Sequence, residues 1–295
     1  MNRYAALILF AMVFGWSTLA AAHPHILRLS DRTEVSFEQM IHDLKQARVV
    51  FIGELHNNPG HHQAQLTIID ALYKSGENIA VGLEMFRKEN QQALDLWSED
   101  QMPERRFVEV FDRNWSMWPQ YRNIFLYARE FRIPMVGLNI PEDVSRQVAA
   151  EGIDSLTKQQ NRAGDKVVCT VDPIYMNFIR RAMGGHGGHG ESFVHFCEAQ
   201  LLWDVAMARH LSEYLEGHPT MNAVVLAGSG HSWKYGMPSR LASDITPIKV
   251  VLPEIPGRLN RVNVTADDAD YLWLDEGDGS WSAPDRFNGP VRSSP

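Results

Sequence analysis

Four apolar runs in this chain lead into acids, amides or imidazoles. VVFIGELHNN (49–58) delivers Glu54 and His56, with His61 and His62 just beyond; IAVGLE ends in Glu84, PMVGLN in Asn139, and AVVLAGSGH leads to His231. Glu54 and His56 are two residues apart, so on an extended strand end they point the same way. A carboxylate beside an imidazole suits a general acid/base pair or a metal site, because each tunes the proton affinity of the other. Glu54, His56, Glu84 and His231 would together make a hydrolytic set, in which His56 or Glu54 activates a water with or without a divalent ion. A structural role competes with this: Glu54 as the cap of a helix starting near Pro59, with His56 a loop residue. His62 shares a helical face with Leu66, Ile69 and Tyr73, where a core histidine is equally at home.

The elements that must carry these groups follow from the pattern. Arg48–Gly53, Ile79–Glu84, Ile133–Asn139, Ala223–Ala227 and Ile248–Leu252 are short, β-branched apolar runs, which predict buried parallel strands. Helical periodicity covers Pro59–Ser75, Lys88–Trp97, Tyr121–Phe131 and Phe193–Leu215. Strand and helix alternate, so the expected class is α/β, a mostly parallel sheet flanked by helices, with ligands taken beyond the carboxyl ends of the strands. Segments 102–118 and 142–190 break the alternation and are expected as helical insertions forming a smaller lobe. Along the long helix Phe196, Gln200, Trp203, Asp204, Met207 and Leu211 share one face, so Gln200 and Asp204 are expected to hold neighbouring groups by hydrogen bonds.

Composition narrows the choices. The 295 residues are 44% hydrophobic and 22% charged, the profile of a packed globular protein. A net charge of -8 without a basic stripe excludes a nucleic-acid partner. Residues 1–22 read as a signal peptide: Arg3, an apolar run from Tyr4 to Leu19, then Ala20-Ala21-Ala22. Cleavage near Ala22 would leave one domain over 23–275 and a polar tail over 276–295, periplasmic or secreted. No cysteine follows the apolar run to accept a lipid, and no later run reaches the roughly 18 apolar residues of a membrane span. An oxidising compartment allows Cys169 and Cys197 to pair if their geometry permits. His23 and His25 would flank the new amino terminus; copper or zinc capture there is handicapped by Pro24, which has no amide proton to lose.

Several catalytic templates fail. Gly230-His231-Ser232-Trp233-Lys234 starts like a nucleophile elbow, but Lys234 replaces its second glycine; there is no H-E-x-x-H, no phosphate loop, and no third glycine after Gly228-x-Gly230.

VVFIGELHNNPGHHQAQ (49–65), GLEMF (82–86), EAQLLWDVAMA (198–208) and GHSWKYGMPSRL (230–241), in that order, resemble the ChaN-like haem-binding uptake family, within the wider Tiki/erythromycin-esterase group of GxxH proteins. The resemblance implies an α/β sheet domain with an inserted helical lobe, and a haem-binding protein of iron uptake. It also implies haem held by a tyrosine, in some members as a cofacial pair at a homodimer interface, and a partner such as an outer-membrane receptor or other haem-transfer protein. Some members are lipoproteins, a feature the signal segment here does not share. Tyrosinate is a hard donor suited to ferric haem. Tyr235, after His231 and Lys234, is the first candidate for iron ligand; Tyr175 is the second, with His186 or His189 of the adjoining glycine loop able to close over an exposed ligand. Trp115, Met117 and Trp118 are candidates for an apolar haem slot, and Arg240 for a propionate partner.

Overall fold

In a computed structural model of the chain, residues 25–157, 160, 173–182 and 190–274 are described. Strands β1 (His25–Arg28) and β2 (Thr33–Val35) are followed by α1 (Phe37–Leu44), β3 (Val49–Glu54), α2 (Pro59–Lys74) and β4 (Ile79–Arg87). A single 3-10 turn, Lys88–Asn90, leads into α3 (Gln91–Ser98), α4 (Glu104–Asn114), α5 (Trp118–Glu130) and β5 (Met135–Asn139). Then come α6 (Glu142–Glu151), α7 (Pro173–Ala182), α8 (Glu191–Gly217), β6 (Asn222–Gly228), the short α9 (Ser229–Ser232), β7 (Ile248–Pro253) and β8 (Tyr271–Leu274).

The eight strands form one sheet in the order β2-β1-β8-β7-β3-β6-β4-β5. From β8 to β5 every neighbouring pair is parallel, and the β1–β2 hairpin adds an antiparallel edge. The fold is therefore the expected α/β class, and all five expected strands are present. β1, β2 and β8 were not expected. They have only three or four residues each and are too brief to show a period.

Alternation along the strands divides the core in two. Val50 and Ile52 of β3 and Val81, Leu83 and Met85 of β4 join the layer built with α2, α4 and α5; Val49, Phe51 and Ala80 join the layer built with α8. The same parity governs the polar ends. Glu54 continues the Val50–Ile52 side and Glu84 continues the Ala80 side, so the two carboxylates lie on opposite faces of one sheet edge. β4 runs on past Glu84 to Arg87, with its pairing to β5 shifted between Leu83 and Arg87.

The expected insertion 102–118 contains α4, whose Phe107 and Phe111 are fully buried in the first layer. Within 142–190, α6 and α7 are helical. The expected signal segment, the expected tail after Asp275, His23, Cys169, His186 and His189 lie outside the described residues. Among the described residues no helix is long and apolar enough to cross a membrane.

Candidate functional site

The turn after β3 is built by its own polar residues. Asn58 caps α2, accepting from the Gly60 and His61 amides at 2.8 and 3.3 Å, and Pro59 occupies the first turn. Asn58 thus takes the capping role and Glu54 is left for other partners. His61 Nδ1 accepts the Leu55 amide at 2.9 Å, and His62 Nε2 donates to the His56 carbonyl at 2.9 Å, so both histidines that open α2 are buried and clamp the loop carrying His56.

Glu54 is fully buried and takes four side-chain donors. His56 Nδ1 (2.6 Å) and the Tyr121 hydroxyl meet Oε1; Gln65 Nε2 (2.7 Å) and His62 Nδ1 (3.4 Å) meet Oε2. Burial opposes ionisation of this carboxyl, but the hydrogen bonds and charges of His56 and His62 outweigh it and hold the group far below the usual range. Both nitrogens of His62 face acceptors, the His56 carbonyl and Glu54, which requires the imidazolium form; its pKa is raised against the cost of burial by the Glu54 hydrogen bond and charge. For His56, desolvation is overcome by the charges of Glu84 and Glu54, and its pKa is pushed up to about 9.

On the other face of the sheet edge the pattern repeats. His231 Nδ1 donates to Asp204 Oδ1 at 2.7 Å, and Tyr175 donates its hydroxyl to Asp204 Oδ2 at 2.7 Å. Glu84 sits between the halves: the His56 and His231 Nε2 atoms lie 3.9 and 3.7 Å from its Oε1, and the Gly228 amide donates to its Oε2 at 2.6 Å. The result is a continuous chain, Tyr121–Glu54–His56–Glu84–His231–Asp204–Tyr175. An indole stands at each imidazole in an edge-to-face contact, Trp115 at His56 (5.0 Å) and Trp203 at His231 (5.5 Å). Gly228 permits this closeness, since a Cβ there would lie 3.1 Å from His56 Nε2 and 3.6 Å from Glu84 Oε2. Desolvation opposes the His231 cation, but Glu84 and Asp204 raise its pKa, while burial raises that of Asp204.

Glu54, His56, Glu84 and His231 are thus brought together as expected, and Asp204 performs the holding role read from its place on α8. Asn139 donates to the Glu84 carbonyl at 2.7 Å and holds the backbone rather than the chemistry. Tyr121 and Gln65 were missed as partners of Glu54; the shared parity of Glu54 with Ile52 was the available signal, since it aims the carboxylate at α2 and α5. Among the described residues no group of three or more His, Cys, Asp and Glu is arranged to hold a metal ion, and His25 faces Glu34 at 3.1 Å on the sheet edge.

The haem candidates separate. Tyr175 is buried with its hydroxyl committed to Asp204. Trp118 lies in the aromatic core, 5.1 Å from Phe111 and 5.5 Å from Phe125. Tyr235 is 37% exposed on the turn after α9, beside Trp233 at 5.1 Å, and Arg240 is exposed on the same segment. The Lys234 ammonium points away, to Asp270 at 3.1 Å and the Ala266 carbonyl at 2.8 Å. Cys197 is buried, and its expected partner falls outside the described residues.

Among solved structures, the fold is similar to ChaN of Campylobacter jejuni, a structure of cofacial haem binding: 21% identity, 85% of this chain and 96% of that one, TM-score 0.64. A mutant erythromycin esterase, EreC, in its open conformation is more distant, at 14% identity over 77% of this chain and 76% of that one, TM-score 0.49. Protein RETICULATA-RELATED 5, chloroplastic, of Arabidopsis thaliana is 24% identical over 257 residues, 78% of this chain; the chain spans about a third (34%) of that relative's length. Residues 40–241 match the family described as "Haem-binding uptake, Tiki superfamily, ChaN". That span runs from Met40 within α1 to Leu241 and holds every member of the buried chain together with Tyr235. The protein therefore belongs to the ChaN family of haem-binding uptake proteins in the Tiki superfamily.

Proposed function

We propose that the protein binds haem through Tyr235 as part of haem and iron uptake, in the periplasm or outside the cell after cleavage near Ala22. The observation that carries this reading is the exposure of Tyr235. It is the accessible phenol of the two candidates, 37% exposed, whereas Tyr175 is buried at 3%. The surroundings suit a haem lying on the surface better than one in a slot. Ile174 (51% exposed) and Val194 (38%) belong to elements joined to the Tyr235 segment, because the Tyr175 ring packs on Trp233 and Arg180 of α7 lies over Phe193. They supply apolar contact, and Arg240 supplies a cation for a propionate. Haem bound there would contribute the ferric iron that Tyr235 ligates; the chain contributes orientation and charge. A surface haem is completed by a second copy of the chain, by an outer-membrane receptor or by another haem-transfer protein.

Titration of the full chain with hemin is expected to give a saturable Soret shift and, on sizing chromatography, a haem-dependent dimer. Tyr235→Phe weakens or shifts the band, and Tyr175→Phe leaves it in place. A spectrum matching free hemin throughout would falsify this function.

A hydrolytic reading keeps one specific observation in its favour: two imidazole edges converge on one oxygen of Glu84, an arrangement that a tyrosine-ligated haem does not need. At neutral pH His56 is the imidazolium and, a third exposed, the member able to meet a substrate. It would donate a proton to the leaving oxygen of an ester or the nitrogen of a peptide, while Glu84 draws the proton from the attacking water. Activity that needs the protonated His56 falls as pH rises through about 9. A panel of peptides and esters, with and without added divalent metal, decides this reading: it fails if His56→Ala and wild type turn over every substrate equally.

A further inference from the structure

Two aromatic rings connect the exposed tyrosine to the buried carboxylate. The Tyr235 and Trp233 centroids are 5.1 Å apart, the Trp233 and Tyr175 centroids 5.7 Å, and Tyr175 donates its hydroxyl to Asp204 at 2.7 Å. Both ring separations fall within the contact range of about 4.5–7 Å for aromatic pairs. Trp233 is completely buried, and the backbone closes tightly on it, since a Cβ on Gly236 would come within 2.8 Å of the indole Cδ1. Neither haem ligation by Tyr235 nor the convergence on Glu84 requires an indole at this position.

An aromatic path ending in a phenol hydrogen-bonded to a carboxylate has a definite chemistry. A buried tyrosine gives up an electron readily only when its phenolic proton leaves as well, and the proton needs an acceptor already in contact. Asp204 Oδ2 is that acceptor. Burial and the Asp204 charge push the Tyr175 phenol well above its ordinary pKa, so it is protonated before any oxidation, and burial also makes Asp204 a better base than an exposed aspartate.

We propose that Tyr235, Trp233 and Tyr175 form a relay that carries one-electron oxidising equivalents from the exposed face to Tyr175, with Asp204 taking the proton. One electron leaves Tyr235 to the oxidant while its phenolic proton passes to solvent; an electron from Trp233 and a solvent proton restore Tyr235, and Trp233 is restored by an electron from Tyr175, whose phenolic proton crosses to Asp204 Oδ2. The products are a neutral phenoxyl radical at Tyr175, a carboxylic acid at Asp204 and the one-electron-reduced oxidant. A peroxide acting on ferric haem held at Tyr235 is the class of oxidant this face would meet, and that use rests on the haem-binding reading. The relay would draw the oxidising equivalent away from the exposed rim, where it would otherwise cross-link or bleach.

The relay is testable without haem. The full chain is illuminated with tris(bipyridine)ruthenium(II) and persulfate, which generates the one-electron oxidant, then frozen for electron paramagnetic resonance. Wild type is expected to give a tyrosyl signal that outlasts those of exposed tyrosines. Tyr175→Phe loses most of the long-lived signal, Asp204→Asn lowers its yield by removing the base, and Tyr235→Phe lowers the yield by removing the oxidisable phenol at the exposed end. An unchanged yield and lifetime in Tyr175→Phe overturns the proposal. Should that variant not fold, Tyr235→Phe, at an exposed position, decides in its place, because an undiminished signal there also overturns the route. A protein that forms the radical but leaves the hemin spectrum unaltered sinks the haem reading alone; one that binds hemin but forms no long-lived radical sinks the relay alone.

Discussion

The two halves of the buried chain use the same three residue types, a tyrosine, a carboxylate and a histidine, and end with opposite electrostatics. In the outer half, against α2 and α5, Glu54 is fully buried yet held strongly ionised; in the inner half, against α8, the equally buried Asp204 has its pKa raised. Desolvation acts on both. The difference lies in the partners: Glu54 has four donors, two of them imidazoles, whereas Asp204 has one imidazole and one hydroxyl. The number of charged donors, more than depth, decides in which direction a buried carboxylate's pKa moves. Access differs too, with the His56 side chain 33% exposed and that of His231 5%. The outer half is thus the one a substrate can reach, and the inner half is the one insulated from water.

The strongest way to break this comparison is Glu54→Gln. Each carboxylate oxygen accepts from two donors, so an amide must set an N–H against a donor at one end, and the expected loss is about 3–5 kcal/mol in urea unfolding. A cost near that of an ordinary surface substitution would mean the four donors are not acting on an anion. Next in size is the pH effect of His56 in the outer half. His56 has a folded pKa of about 9 against 6.5, so its contribution is complete below 6.5 and is lost as pH rises through about 9. After discounting for its solvent exposure, about 1–2 kcal/mol is expected to disappear over that range. Glu54 works in the other direction, contributing above 4.5 and losing its contribution as pH falls. Unfolding free energies measured on either side of pH 9 for wild type and His56→Gln check the alkaline part; parallel curves refute it. The smallest effect is expected for Asp204→Asn, about 0.5–1.5 kcal/mol, because the Tyr175 hydroxyl can rotate to accept from the new amide while His231 keeps its oxygen. A loss as large as that of Glu54→Gln would erase the distinction between the halves.

Much of the rim was legible as sequence. Glu54, His56, Glu84 and His231 stand at the ends of apolar runs, and such runs become parallel strands whose carboxyl ends share one edge. Asp204 announced itself as an acid on an apolar helical face. Tyr121 did not, because a tyrosine inside an amphipathic helix looks like core until the helix is docked. Trp118 carried the same ambiguity and resolved the other way, into the cluster around Phe111 and Phe125. For Tyr175 and Tyr235 residue type alone could not separate a buried hydroxyl donor from an exposed ligand.

The sequence by itself determined the α/β class, five of the parallel strands, the family and the set of acids and imidazoles on one rim, since each rests on local periodicity or on motifs contiguous in the chain. Only the tertiary structure decided that these groups form a single alternating line with Glu84 at its centre and a tyrosine at each end. Its closing contacts join Tyr121 to Glu54 and Tyr175 to Asp204, residues carried on separate elements. Those pairings depend on how each helix docks on its face of the sheet, and docking is settled by the summed burial of whole layers rather than by the spacing of any one segment.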